Sequence, residues 1–273
     1  MPKIKVGDIN MYYEIHGQGE PMVFMGGFGT TVESTVKRIA SFTKEYRVII
    51  YDTRGTGRSD IPDMPYTPAM LADDLAGLLE TIGVKAAHIY GESFGGYITL
   101  NFALAYPQKA TSLVLRSTSC GGPHSPPRDA EYVKLNAGGG LSKLSGQERD
   151  NLMLPFLVTP EYLASHPGIK GIFTPKTPVK YPITPQGYKK LAEVTAAHDT
   201  YDRLPAIKAP ALVLHGDADR ILNVENARIL AARIPHAELV IFKNAGHGLI
   251  EVNDECKKTT LEFLRKHHSS PGT

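Results

Sequence analysis

Short apolar, β-branched runs recur along the chain at Val23–Met25, Val48–Tyr51, His88–Tyr90, Leu113–Leu115, Leu212–Leu214 and Leu239–Phe242. Several of the intervals carry apolar residues three and four apart instead. Pro68–Ile82 places Met70, Leu71, Leu75, Leu78, Leu79 and Ile82 along one helical face and stops at Gly83, a residue suited to the left-handed turn that closes a helix. Phe94–Tyr106 reads as a second helix, stopped by Pro107, and Val224–Ile234 and Glu255–Lys266 supply two more. Strands alternating with helices predict βαβ units and a parallel sheet, so the fold class is α/β. The amino-terminal segment differs. Met11–His16 alternates in polarity and follows Gly7-Asp8, a turn that pairs it antiparallel with Ile4–Val6 and makes the sheet mixed.

The rhythm breaks between Cys120 and Pro205. Pro123, Pro126, Pro127, Pro167, Pro175, Pro178, Pro182 and Pro185 separate helical pieces such as Gln147–Phe156 and Gln186–His198, and the sheet pattern resumes at Ala211. A structureless loop of this length does not suit a compact domain. The expected organisation is a core of residues 1–119 and 206–273, with residues 120–205 forming a helical cap whose underside presents Met153, Leu154, Phe156, Leu157 and Tyr162. The polar tail from His267 to Thr273 is expected to fray.

Chemistry concentrates where these strands end. His88–Gly96 contains Gly91-Glu92-Ser93-Phe94-Gly95, a Gly-x-Ser-x-Gly set between a predicted strand and a predicted helix. In such an elbow the turn is tight enough to require small residues around the serine, and the hydroxyl is pushed above the sheet towards the positive end of the helix. A serine is a weak nucleophile at its free pKa, so a base must sit beside it and an acid must orient that base. The loop after Leu212–Leu214 offers Asp217 and Asp219, and Asn244-Ala245-Gly246-His247-Gly248 follows the last strand. The chain order is therefore Ser93, Asp219 or Asp217, His247. An oxyanion formed at Ser93 needs N–H donors, for which Phe94 and Phe28 of the glycine-rich loop Met25–Thr30 are the candidates. That loop begins like a dinucleotide fingerprint, but position 32 is Val where the third glycine belongs.

Composition changes this picture mainly by exclusion. Of 273 residues, 42% are apolar and 21% charged, which fits an ordinary globular chain and excludes a disordered or collagen-like one. Thirty Lys and Arg against twenty-eight Asp and Glu leave +2, a balance without special attraction to nucleic acid or anionic membranes. Cys120 and Cys256 are the only cysteines and lack metal-site spacing, so no disulfide framework, metal or other cofactor is expected. The start, Met1–Asn10, lacks the apolar stretch of a secretory signal, and no apolar run is long enough to span a bilayer. The expected location is the cytoplasm.

Four motifs occurring in order, Met25–Gly29, Asp52–Asp60, Gly91–Gly96 and the pair Gly216-x-x-Asp219 with Gly246-His247, make residues 1–119 and 206–273 resemble the α/β-hydrolase superfamily. The resemblance implies a mostly parallel eight-stranded sheet flanked by helices, and it favours Asp219 over Asp217 as the acid. Within the superfamily the Gly-Gly-Phe-Gly loop, the helical insertion and the stretch His198–Pro205 look most like 3-oxoadipate enol-lactonases and related carboxylesterases. The sequence departs from that pattern at Met25, where many members carry His, and has Glu92 before the serine. What the resemblance implies is a serine hydrolase of small carboxylic esters or lactones. C–C bond hydrolases of ring-cleavage products, cofactor-free haloperoxidases and a non-catalytic small-molecule receptor on the same fold are the alternatives. Haloalkane dehalogenases and epoxide hydrolases carry an aspartate where this chain has Ser93, and the Gly-Gly-Ser-Trp-Gly-Gly elbow of proline iminopeptidases is absent. The Asp52–Asp60 segment, with Arg54, Arg58 and Asp60, is expected to be a structural turn rather than a binding loop.

Overall fold

A computed structural model describes residues 3–137, 140–141, 144, 146–169 and 179–268. Pro175, Pro178 and tail residues 269–273, which entered the expectations above, lie outside the described residues. β1 (Ile4–Val6) and β2 (Ile9–Met11) pair antiparallel in a separate ribbon. The other seven strands are β3 (Tyr13–His16), β4 (Glu20–Met25), β5 (Tyr46–Tyr51), β6 (Ala87–Glu92), β7 (Ala110–Arg116), β8 (Ala211–Gly216) and β9 (Ala237–Phe242), and they form one sheet in the order β3-β5-β4-β6-β7-β8-β9. Only β3 runs antiparallel to its neighbour.

Among the described residues the main sheet thus has seven strands where eight were expected, and Met11–His16 is two strands rather than one. The break falls at Tyr12. Its N–H donates to Ser59 Oγ at 2.9 Å and its carbonyl accepts from Asp52 N at 2.9 Å, so its backbone is committed to the turn after β5. Upstream of this point the chain pairs with β1; downstream it pairs with β5.

Helices cover both faces. α1 (Val32–Thr35) precedes β5, and α2 (Pro68–Thr81) connects β5 to β6. Thr67 caps α2 by accepting from Met70 N at 3.2 Å. α2 and α3 (Phe94–Ala105) bury Leu71, Leu75, Leu78, Ile98, Leu100 and Phe102 against one side of the sheet. α1 and the stretch after it, together with a carboxyl-terminal helix, cover the other side with Val32, Ile39, Phe42, Cys256, Phe263 and Leu264.

Between β7 and β8 the chain forms α4 (Ala130–Asn136), α5 (Gly146–Leu157), α6 (Pro160–Ser165) and α7 (Pro185–Ala197). Of these, α4 and α6 had no counterpart in the pattern analysis, because both are too short to show helical periodicity. The segment leaves and returns through a narrow neck. Thr200 N donates to Cys120 O at 2.8 Å, Gly122 N to His198 O at 2.9 Å, and His198 Nε2–H to Ser119 O at 3.1 Å. α8 (Glu225–Arg233) and α9 (Asn253–Lys266) complete the chain. His268, expected to fray, is instead held by Glu20 Oε2 at 2.7 Å and by Tyr46 Oη at 3.1 Å.

The chain passes from β4 outward to β5 and then crosses back to β6 on the other side of β4. A reversal of this kind opens a crevice beyond the carboxyl ends of β4 and β6, the usual ligand position in a parallel sheet. The loops after β4, β6, β8 and β9 therefore share one edge of the sheet.

The Asp52–Asp60 turn is structural, as expected. Asp52 accepts from Val32 N at 2.6 Å and Arg58 N at 2.8 Å, while Asp60 accepts from Asn10 N at 2.9 Å and Lys3 Nζ at 3.1 Å. Arg54 binds both oxygens of the buried Asp74 at 2.6 Å and reaches Asp8 at 2.9 Å.

Candidate active site

Ser93 sits between β6 and α3 with φ 52° and ψ −111°, a conformation costly for a residue with a Cβ. Close packing holds it there. A Cβ on Gly95 would lie 2.5 Å from Met25 O, and one on Gly91 would strike Thr99 and the Gly95 carbonyl, so helix and strand meet only because both residues are glycine. Ser93 N donates to Arg116 O at 2.8 Å, and Ser93 O accepts from Thr118 Oγ1 at 2.7 Å. The backbone is thus pinned on both sides, while the side chain does not cap α3 and has no hydrogen-bond partner among the described residues.

His247 and Asp219 are joined directly, with Nδ1 to Oδ2 at 2.7 Å and only 5% and 8% of the two residues exposed. The other oxygen of Asp219 accepts from the N–H groups of Ile221 and Leu222, each at 2.8 Å. Burial alone would raise the Asp219 pKa, but the charges and hydrogen bonds of His247 and His215 outweigh it and hold the carboxyl far below the ordinary aspartate range. Asp217 has a different task, accepting from Asn244 N at 2.7 Å at the exposed start of the histidine loop. The structure therefore brings Asp219 and His247 together and leaves Asp217 outside the pair. It does not hydrogen-bond Ser93 to His247 among the described residues; the two lie on loops at the same edge of the sheet, after β6 and β9, which β7 and β8 separate.

Glu92 and Arg116 stitch these ends together. Arg116 Nη1 lies 3.4 Å from Glu92 Oε2, and Arg116 Nη2 donates to Gly248 O, one residue beyond His247. Arg38 pairs with the same Glu92 oxygen. Burial pushes the Glu92 pKa up, yet the two guanidinium groups and His247 pull it down to about 2.

The loop after β4 adjoins the elbow, since a Cβ on Gly27 would be 3.7 Å from Ser93 Cβ. Phe94 opens α3, so its N–H has no intrahelical acceptor. Phe28 N–H has no acceptor among the described residues. The two rings meet edge to face at 5.5 Å, and Tyr188 of α7 packs on Phe28 at 4.8 Å.

Residues of the β7–β8 insertion close over these loops. Gly248 N donates to Leu157 O at 2.8 Å and Thr159 N to Glu251 Oε1 at 2.7 Å. Phe156 packs with Ile221 and Leu222 of the Asp219 loop, and Leu154 and Val158 form an apolar cluster that Ile250 joins. Among the described residues, no group of three or more His, Cys, Asp or Glu could hold a metal ion, and no helix is long and apolar enough to cross a membrane.

Pattern analysis missed His215. It is fully buried, and its Nε2–H lies 2.8 Å from Leu222 O and 3.0 Å from Asp219 Oδ2, giving the acid loop a second brace. The available signal was a histidine at a strand end, four residues before the acid.

The sequence pattern of the family described as Serine aminopeptidase, S33, matches residues 21–254, and the chain belongs to that family. It is a hydrolase of the α/β-hydrolase type. A putative carbamate hydrolase RutD of Stutzerimonas stutzeri (strain A1501) is 28% identical over 246 residues, covering 87% of this chain and 90% of the relative. A 2-hydroxy-6-oxononadienedioate/2-hydroxy-6-oxononatrienedioate hydrolase of Burkholderia vietnamiensis is 30% identical over 274 residues, covering 95% and 92%. Among solved structures, the enol-lactonase from Burkholderia xenovorans LB400 superimposes with a TM-score of 0.80 at 27% identity, covering 97% of this chain and all of that one.

Proposed function

We propose that the protein hydrolyses small carboxylic esters or lactones through Ser93, His247 and Asp219. The observation that carries this reading is the buried 2.7 Å His247–Asp219 bond on strand-end loops at the same edge of the sheet as a serine held at φ 52° with an uncommitted hydroxyl. His247 Nδ1–H donates to Asp219, which leaves Nε2 as the base. It takes the Ser93 proton as Oγ attacks the carbonyl carbon. The oxyanion is met by the N–H groups of Phe94 and Phe28, and collapse expels the alcohol after it receives that proton from His247. Water activated by the same imidazole then hydrolyses the acyl-enzyme, releasing the acid and restoring Ser93. No step calls for a cofactor.

Residues 120–205 act in this reading as a cap that selects the acyl group, supported by the contact of Tyr188 with Phe28 and of Phe156 with the Asp219 loop. The substrate is a small molecule rather than a nucleic acid or membrane lipid. C–C bond cleavage is the second reading, favoured by the 30% identity to the dienedioate hydrolase.

Labelling with a fluorophosphonate, followed by mapping of the modified peptide, tests the nucleophile. Modification at Ser93 is expected; an unlabelled Ser93 in folded protein overturns the assignment. Turnover of a panel of short esters and lactones beside a dienoic ring-cleavage product then separates the two readings.

A further inference from the structure

A cavity lies on the face of the sheet that α9 covers. It measures about 220 Å³, and its walls include Lys37, Arg38, Arg116 and Lys257 over an aromatic floor of Phe24 and Tyr90. Side chains alternate along a strand, so Glu92 faces the same way as Tyr90, towards α9 and away from α2 and α3. Four cationic groups surround this space. Two of them, Arg38 and Arg116, share the carboxylate of Glu92. Lys257 has only the exposed Asp254 at 3.9 Å, and Lys37 has no carboxylate partner among the described residues. The positive charge is therefore in excess.

A buried donor is also left over. Arg116 uses Nη1 on Glu92 and Nη2 on Gly248, whereas its Nε–H is buried without an acceptor. Leaving such a group unpaired is costly, more so when it is charged. The floor supplies the complementary apolar surface: the Phe24 and Tyr90 rings stack at 4.4 Å and 13°. A cationic rim above stacked aromatics suits a compact anion that carries its own apolar body.

We propose that this cavity is a binding site for a small organic carboxylate, such as an aromatic or short branched acid, separate from the substrate pocket. The carboxylate is held by Lys37 and Lys257 with the guanidinium edges of Arg38 and Arg116, and its apolar body rests on Phe24 and Tyr90. This assignment does not depend on which bond the enzyme hydrolyses.

Isothermal titration of the full chain at low ionic strength tests it, with benzoate as probe and benzamide as its neutral counterpart. Benzoate should bind saturably, and benzamide should bind about tenfold more weakly or worse. The double substitution Lys37→Ala, Lys257→Ala removes two solvent-accessible side chains and should weaken benzoate about tenfold, with the circular dichroism spectrum unchanged. Ser93→Ala should bind benzoate as the unaltered chain does. Absence of saturable binding, equal binding of benzamide, indifference to the lysine substitutions in folded protein, or loss of binding in Ser93→Ala would each overturn the proposal. The last result would place benzoate in the substrate pocket instead.

Discussion

Two glycine-punctuated turns follow parallel strands β5 and β6, and they differ in what their side chains leave unspent. In Asp52–Asp60, the side chains of Asp52, Arg54, Ser59 and Asp60 are all bonded to groups elsewhere in the fold. At Gly91–Gly96, the backbone of Ser93 is fixed from both sides while its hydroxyl has no partner among the described residues. The first turn spends its polar groups on rigidity. The second spends its surroundings on holding one polar group free, at the cost of a strained φ. The two turns share composition and position; the state of their hydrogen-bonding groups separates them.

The largest effect expected from this contrast is at Ser93. Ser93→Ala should lower kcat/KM for a good ester by on the order of 10⁴-fold or more while leaving the thermal midpoint near its original value, because it removes an unbonded hydroxyl. Retention of most activity by the folded variant would erase the distinction between the turns.

Asp219→Asn should follow, with a loss on the order of 10³–10⁴-fold in kcat, since an amide cannot stabilise the imidazolium and favours the wrong tautomer. Asp217→Asn, which only weakens the hold on Asn244, should stay within about tenfold. Kinetics of the two variants side by side check the ranking, and the reverse order would move the acid to Asp217.

The opposite behaviour is expected in the structural turn. Asp74→Ala leaves Arg54 buried without its bidentate partner and should destabilise the protein by about 3–5 kcal/mol in urea titrations, with kcat per folded molecule nearly unchanged. A large loss of kcat in folded Asp74→Ala would show that the Asp52–Asp60 region serves the chemistry.

A pH-dependent test addresses the neck of the insertion. Burial lowers the His198 pKa to about 4, and the ring accepts from Asn101 Nδ2 at 3.2 Å while donating to Ser119 O. The folded state therefore binds this proton less well than the unfolded chain. Its contribution to stability is present above the unfolded value of about 6.5 and is lost as pH falls towards 4, by up to about 3 kcal/mol. His198→Gln keeps a donor but cannot titrate, so its stability should fall less steeply across that window. Equal slopes for the two proteins would remove His198 as the titrating group.

The smallest change is expected in the β7–β8 insertion. Tyr188→Ala should alter the ratio of kcat/KM between short and bulky acyl groups by about tenfold, with Ser93 labelling intact. Unchanged substrate preference would assign selection to the Gly26–Thr30 loop.

The parts of this molecule legible from one dimension are those whose cause is local. The 3.6-residue period of α2, the apolar runs of the parallel strands, and the glycines needed where α3 meets β4 all appear in the residues themselves. The loops bearing Ser93, Asp219 and His247 were legible too, because each follows a strand and carries its own glycine signature. What stayed hidden depends on residues far apart in the chain. Tyr12 ends one ribbon because Ser59 and Asp52 capture its backbone, which turns one predicted strand into two. The short helices α4 and α6 owe their existence to the surfaces they meet, since one or two turns cannot persist on propensity alone. Residue types and spacing left Asp217 and Asp219 both open, and only the family resemblance favoured Asp219; the direction each carboxylate faces separates them physically, and His215 became a brace only once β8 brought it beneath the acid loop. The sequence by itself determined the α/β order and which strand-end loops carry the candidate groups, because these follow from periodicity and from short-range backbone requirements. Tertiary structure alone decided which carboxylate meets the histidine, which polar groups are spent and which remain free, because hydrogen bonding in a buried site is settled by where distant strands end.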